Sequence, residues 1–329
     1  MSFDFDGKKV LVAGGTSMIG IPLVEMLVEK GASVRIASLD DPSRAHPSAE
    51  FFQLDMQIRE NCEKVCDGID YVFNLLGVKG SPAVTTKKPA NFFEPVLLFN
   101  THLMGAAFRA GAEGFLFTSS IAVYSPAEVL REDDVWKTAP SDNDKFAGWA
   151  KRMGELQGEA YRIQYGWNSV SVVRPGNTYG PFDNFDLENA MVVPSLIKRA
   201  VDGEDPMRVW GNGTARRDFV HARDVARGMI LVAEQQIVEP VNLASGQGVS
   251  IRELVEIILS HLDVKPKVLW QVAQPTGDFS RVMDISRARS YGYEPKIPLQ
   301  DGIREVMDWY RRNKEIAGKR YDIFSKGLG

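Results

Sequence analysis

The chain has little of several things, and each shortage removes a class of protein. It holds two cysteines in 329 residues, Cys62 and Cys66. No second pair completes a metal site, and the spacing is not Cys-x-x-Cys, so neither a zinc module nor a thioredoxin-type pair is indicated. Free thiols in a reducing compartment are the reading that remains. Charge of one sign is also scarce: 39 Lys+Arg stand against 43 Asp+Glu, a formal net charge of −4. Without a basic block the chain lacks the electrostatic footprint of a nucleic-acid binder. No apolar run approaches the ~20 residues of a membrane helix. The opening MSFDFDGKK lacks the cationic, apolar, small-residue pattern of a leader, so a cytoplasmic location is expected.

What is present is ordinary globular material, 44% hydrophobic and 25% charged, with a mean hydropathy of −0.18. That composition argues against disorder, collagen and a disulfide scaffold. The length suits one large α/β domain or two smaller ones, each able to bury a proper core.

The order of residues says more. Lys9–Ala13 (KVLVA) reads as a strand, and the glycine-rich turn Gly14 to Gly20 leads into an amphipathic helix ending near Gly31. Val34–Ala37 is a second strand, which completes a βαβ unit. Strands around Tyr71–Leu76, Gly114–Thr118 and Ser169–Arg174 alternate with helical stretches over about 92–109 and 145–165. This predicts a doubly wound parallel sheet, a Rossmann α/β fold, with ligands beyond the carboxyl ends of its strands. After Pro175 the texture changes to a loop over 176–189, short strands at Arg208–Trp210 and Val241–Leu243, and helices near 193–201, 224–235 and 251–261. Ser250 and Glu253 form a capping box before the last of these. The expected division is a cofactor domain of 1–176 and about 216–248, and a smaller, discontinuous α/β substrate domain of about 177–215 and 249–329.

A strand that ends in glycines and feeds a helix sets backbone N–H groups and a helix N-terminus against a pyrophosphate. Gly14, Met18, Ile19 and Gly20 are therefore expected at a dinucleotide. Ser17 stands where the middle glycine of Gly-x-x-Gly-x-x-Gly would be; its hydroxyl can donate to a phosphate oxygen. Ser38 occupies the position that selects the ribose. A small residue there, with Arg35 and Arg44 nearby, leans toward NADP, while Asp40 and Asp41 point toward NAD. Asp55 and Met56 are expected near the adenine, with loop capping the competing role for Asp55. Leu75, Leu76, Gly77 and Pro175, at strand ends, complete the expected cofactor contacts.

Four ordered segments then carry a resemblance: Asn177-Thr178-Tyr179-Gly180-Pro181-Phe182-Asp183-Asn184-Phe185, Val192 to Leu196, Val209 to Gly213 with Arg216 to His221, and Gly277 to Arg281 before Asp284-Ile285-Ser286. With the phosphate turn, they show that the chain resembles the extended short-chain dehydrogenase/reductases acting on nucleotide sugars, most like the GDP-fucose synthase branch. The resemblance implies a nicotinamide cofactor, a nucleotide-sugar substrate with GDP favoured, and a homodimer built on the helices near 92–109 and 145–165. It also implies substrate contacts at Asn177, Val192, Leu196, Arg199, Trp210, Arg217 and Arg281. Lys79, Ser120 and Asn189 are added as candidates, and the three arginines could hold diphosphate oxygens bidentately.

The same resemblance exposes departures. In the family a Ser, a Tyr and a Lys share the chemistry, with the Tyr four residues before the Lys. Here Ser120 and Lys151 hold the serine and lysine positions, but Ala147 stands where the tyrosine belongs. The fucose-synthase Cys and His that epimerise C3 and C5 are replaced by Ala122 and Met191, and the Asp-Glu pair of 4,6-dehydratases by Ile121-Ala122. Proton transfer at carbon needs a titratable group, so hydride transfer at one carbinol, C4, demands least beyond what remains. Three explanations account for Ala147: another acid/base (Lys151, Lys79, Tyr124 or water), an engineered Tyr→Ala change, or a catalytically quiet nucleotide-sugar binder. Because three catalytic positions differ rather than one, the reading taken is a natural oxidoreductase or 4-epimerase with an atypical acid/base.

Overall fold

A computed structural model describes residues 2–78, 80, 87–274, 276–319 and 321. The sheet strands are β1 (Lys9–Ala13), β2 (Ser33–Ser38), β3 (Glu50–Gln53), β4 (Tyr71–Asn74), β5 (Gly114–Thr118), β6 (Val170–Pro175) and β11 (Val241–Leu243). They form one parallel sheet in the order β11-β6-β5-β4-β1-β2-β3. The order reverses direction at β1, which opens the crevice that doubly wound sheets use for ligands.

Both faces of this sheet are covered, and β1 shows how. Val10 and Val12 face α1 (Gly20–Glu29) and α6 (Ala222–Glu234), whereas Leu11 and Ala13 face α2 (Arg59–Cys66), α3 (Pro89–Arg109) and α4 (Lys145–Tyr165). A strand buried on two sides needs apolar residues at every position rather than at alternate ones, which explains runs such as KVLVA and GFLFT. Cys62 and Cys66 are buried and free on α2, and burial pushes both thiols up to about 12. Buried thiols of that kind are inert.

Helix α4 lies very close to the sheet. A Cβ on Gly154 would sit 2.3 Å from the Phe117 ring, and one on Gly148 would sit 2.4 Å from the Ala122 carbonyl oxygen. These two glycines draw the helix that carries Lys151 against β5 and the Ser120 segment.

A third core gathers Tyr179, Phe185, Leu196, Val209 and Phe219 with Ile251, Leu254, Val306 and Tyr310. Its elements are β7 (Asn177–Tyr179), α5 (Val192–Val201), β8 (Met207–Trp210), β9 (Arg216–Arg217), β10 (Phe219–His221), β12 (Val249–Ser250), α7 (Ile251–Ser260), β13 (Val268–Gln271), β14 (Ser280–Arg281) and α9 (Leu299–Arg312), with α8 (Ser286–Ser290) before the last. The Ser250/Glu253 capping box is formed. Several short elements escaped the sequence reading, among them β3, whose EFFQ lacks a clean period, β7, three residues inside an expected loop, and its partner β10. β7 exists because it pairs in parallel with β10, a partner 42 residues away in register (Asn177 with Phe219).

Candidate active site

A cleft of about 660 Å³ lies beyond the carboxyl ends of β1, β2, β4, β5 and β6. Its floor begins at the turn after β1. Gly14 takes a φ of +86° and donates its N–H to the Ala37 carbonyl at 2.8 Å. The Gly20 N–H donates to Ser17 Oγ at 3.0 Å, which leaves the Ser17 hydroxyl proton to point elsewhere. Gly20 itself does not line the cleft. It closes the turn, because a Cβ there would lie 2.3 Å from the Gly14 carbonyl oxygen. Gly14, Ser17, Met18 and Ile19 do line it. The turn is a cradle into which a pyrophosphate would fit, as the sequence leads one to expect.

The end of the cleft at which Ser38 is expected to meet the ribose carries a carboxylate as well. Ser38 and Asp40 both line the cleft. Thr16 Oγ1 is 2.6 Å from Ser38 Oγ and donates to Asp40 Oδ2 at 2.9 Å, a buried set of oxygens with Asp40 at its head. Arg44, expected there, does not line the cleft: its guanidinium reaches the Thr16 carbonyl at 3.4 Å and lies over the Phe182 ring. Arg35 is further removed, donating to Glu50 and to the carbonyls of Val65 and Asp67. Asp55 and Met56 line the cleft as expected, and Asp55 also caps its own loop by accepting the Gln57 N–H at 2.9 Å.

Leu75, Leu76, Gly77 and Pro175 are at the cleft, at the ends of β4 and β6. Across from them stand Ser120, Ala147 and Lys151. Ser120 Oγ accepts the Ala122 N–H at 3.1 Å and keeps its own proton to donate. Lys151 Nζ donates to the Leu76 carbonyl at 3.0 Å and the Thr118 carbonyl at 2.8 Å, so the cation bridges the ends of β4 and β5. Burial lowers its pKa to about 8, against a weaker opposing pull from Glu155. Ala122 and Met191 also line the cleft, as does Phe146, whose ring meets Phe93 edge-on. Tyr124 does not: it is buried, donating to Asn242 Oδ1 at 2.5 Å.

Of the substrate candidates, Asn177, Asn189, Val192, Ser120 and Arg281 line the cleft. Arg281 is paired with Asp144 and, at 3.8 Å, with Asp278. Four others do not line it, each for a visible reason. Leu196 faces the third core. Arg199 is held by both oxygens of Glu204, at 3.0 and 2.6 Å. Trp210 sits on the outward phase of β8 and is 45% exposed. Arg217 donates to the carbonyls of Arg216, Asp278 and Thr276, and burial and the neighbouring Arg281 pull it down to about 10. Lys79 lies outside the described residues. Among the described residues no group of three or more His, Cys, Asp or Glu side chains could hold a metal ion, and no helix is long and apolar enough to cross a membrane.

A buried network behind Ser120 was not foreseen. Ser119 Oγ donates to Glu155 Oε1 at 2.5 Å, and Arg174 donates to both Glu155 oxygens, at 2.9 and 2.7 Å. Arg174 also donates to the Glu132 carbonyl and to the Tyr124 hydroxyl. The one signal in the sequence is an arginine at the end of the apolar run SVSVV.

A family model described as NAD dependent epimerase/dehydratase matches residues 10–244. The chain belongs to this family. Family membership and the cradle together establish a nicotinamide cofactor. GDP-L-fucose synthase 1 of Arabidopsis thaliana is 30% identical over 315 residues, 93% of this chain and 94% of that protein. A dTDP-4-dehydro-6-deoxy-D-allose reductase of a Streptomyces species is 29% identical over 323 residues, 94% and 98% of the two chains. In fold, the crystal structure of a GDP-6-OMe-4-keto-L-xylo-heptose reductase from C. jejuni matches with a TM-score of 0.83 at 21% identity, covering 95% of this chain and 99% of that one. As a member of the family, the protein is a nucleotide-sugar epimerase or reductase.

Proposed function

We propose that the protein reduces the C4 carbonyl of a nucleoside-diphosphate 4-keto sugar at the expense of NADPH or NADH, with GDP-linked sugars the leading class. The observation that carries this is the wall of the cleft around Ser120 and Lys151. Ala122 and Met191 stand there, and neither can take a proton from carbon. A single redox step at one oxygen-bearing carbon fits such a wall; epimerisation at C3 or C5 does not. A bound nicotinamide would supply the hydride. Ser17 and the turn N–H groups would hold its pyrophosphate, Ser120 would donate to the sugar oxygen, and Lys151 has one N–H left for either the nicotinamide ribose or that oxygen. Arg281, released from Asp144 and Asp278, is a cleft-lining cation available to a substrate phosphate. We take the substrate half to be the part of the chain that builds the third core.

The test is a panel of GDP- and dTDP-4-keto-6-deoxy sugars, with NADPH and NADH in parallel and the reaction run in D₂O. Loss of reduced cofactor with no deuterium at C3 or C5 is the expected result. Deuterium at either carbon refutes the single-step reading. Tight sugar binding with no cofactor oxidation supports instead the catalytically quiet binder that Ala147 suggests.

The exposed face of α4 supports a homodimer. Phe146, Met153, Leu156 and Ile163 are spaced along one helical stripe and are 43, 37, 40 and 79% exposed. Met153→Glu is expected to shift the protein from dimer to monomer in sedimentation velocity; a wild-type monomer would end the proposal.

A further inference from the structure

The reduction proposed above needs a proton at the C4 oxygen, and the tyrosine that would give it is absent. The structure removes most substitutes. Tyr124 is buried, with its phenol engaged by Asn242 and Arg174. Asp144 is held by Arg281. Asp183 and Asp186 accept backbone N–H groups of their own loop, from Asn184 and Glu188. Lys145 also lines the cleft, but it is exposed at the first position of α4, so its ammonium is held by solvent.

Lys151 shares the cleft with Asp144, Asp183, Asp186 and Lys145 and differs in the neutral groups at its head. It lines the cleft together with Ser120 and Ala147. An ammonium has three N–H bonds; two go to the Leu76 and Thr118 carbonyls, and a third remains for the cleft. The groups at its head are neutral: two carbonyls, and the Phe117 ring 5.2 Å from Nζ. Glu155, one turn along α4, is the charged group felt by Lys151 among the described residues, and its oxygens are taken by Ser119 and Arg174. Such an ammonium gives up its proton near neutral pH, the range in which a general acid works best.

We propose that Lys151 is itself the general acid, donating through the space beside Ala147 to the substrate's C4 oxygen. An N–H bond of the ammonium breaks as the O–H bond of the alcohol forms. The carbonyl carbon is reduced by the hydride of the reduced nicotinamide, which leaves oxidised. Lys151 is left as a neutral amine and recovers its proton from solvent. The proposal rests on the reductase reading.

Two measurements test it. In the apoprotein labelled with ¹³C-lysine, the Lys151 Cε resonance should titrate near 8, against about 10.4 for an ordinary lysine, and should vanish in Lys151→Arg. In the loaded enzyme, single-turnover reduction should fall tenfold per pH unit above that midpoint. Lys151→Arg keeps a cation but cannot release a proton, and should lose about 100-fold or more. Lys151→Ala should recover turnover with added methylammonium. Turnover that is flat through the titration, or a Lys151→Arg variant within about threefold of wild type, makes Lys151 a cofactor holder only and overturns the proposal alone. Absence of turnover with every sugar overturns the reductase reading and the proposal with it.

Discussion

Glu155→Ala is expected to lower the stability of the fold by about 3–5 kcal/mol, read as a shift in the urea midpoint. The Glu155 and Arg174 side chains are 4% and 0% exposed. Removing the carboxylate leaves a guanidinium deep in the protein with two neutral partners, the Glu132 carbonyl and the Tyr124 hydroxyl. Burial opposes the Arg174 charge, yet pairing with Glu155 raises its pKa overall, so the cation stays. The cost of the variant is that stranded charge rather than the worth of one ion pair. Glu155→Gln keeps one acceptor and should cost less. A loss below about 1 kcal/mol for Glu155→Ala would show that Arg174 finds water or another partner, which its surroundings do not suggest.

The same network bears on the site, because its members are chain neighbours of the cleft. Ser119 precedes Ser120, Glu155 follows Lys151 by one helical turn, and Arg174 precedes Pro175. A change at Glu155 is therefore expected to disturb the reacting groups as well as the fold.

This network also marks where sequence reasoning ends. The parallel sheet was legible because strands buried on both faces show as continuous apolar runs, and the phosphate turn because glycine is demanded where a Cβ would collide. Ser120, Lys151 and Ala147 were legible by their places in a resemblance, and the cleft gathers all three. Arginine was not legible. Arg199, Arg217 and Arg281 are alike in sequence, yet only Arg281 faces the cleft, because Glu204 captures the first and three carbonyls capture the second. A long cation goes to whichever acceptors the fold brings near, and those are set by tertiary contacts such as Arg217 with Thr276, 59 residues away. Asp40 shows the converse. Two residues past Ser38, it lines the cleft because Thr16 and Ser38 hold it there.

Ala147→Tyr should increase the rate of reduction, and the increase should grow with pH. At around pH 9 a lysine titrating near 8 has lost about 90% of its protons, while a phenol near 10 retains about 90% of its own. Proton occupancy alone then favours the tyrosine variant about tenfold at that pH, and very little at pH 6, where both groups are protonated. A phenol at position 147 would enter the cleft beside Ser120 and Lys151, since Ala147 already lines it. The measurement is the ratio of variant to wild-type single-turnover rates across this range. A ratio that rises with pH places the proton on the lysine in the natural protein. A ratio that stays constant says that the wild-type donor does not titrate there, and a variant slower at every pH says that the open space beside Ala147 is needed for the substrate itself.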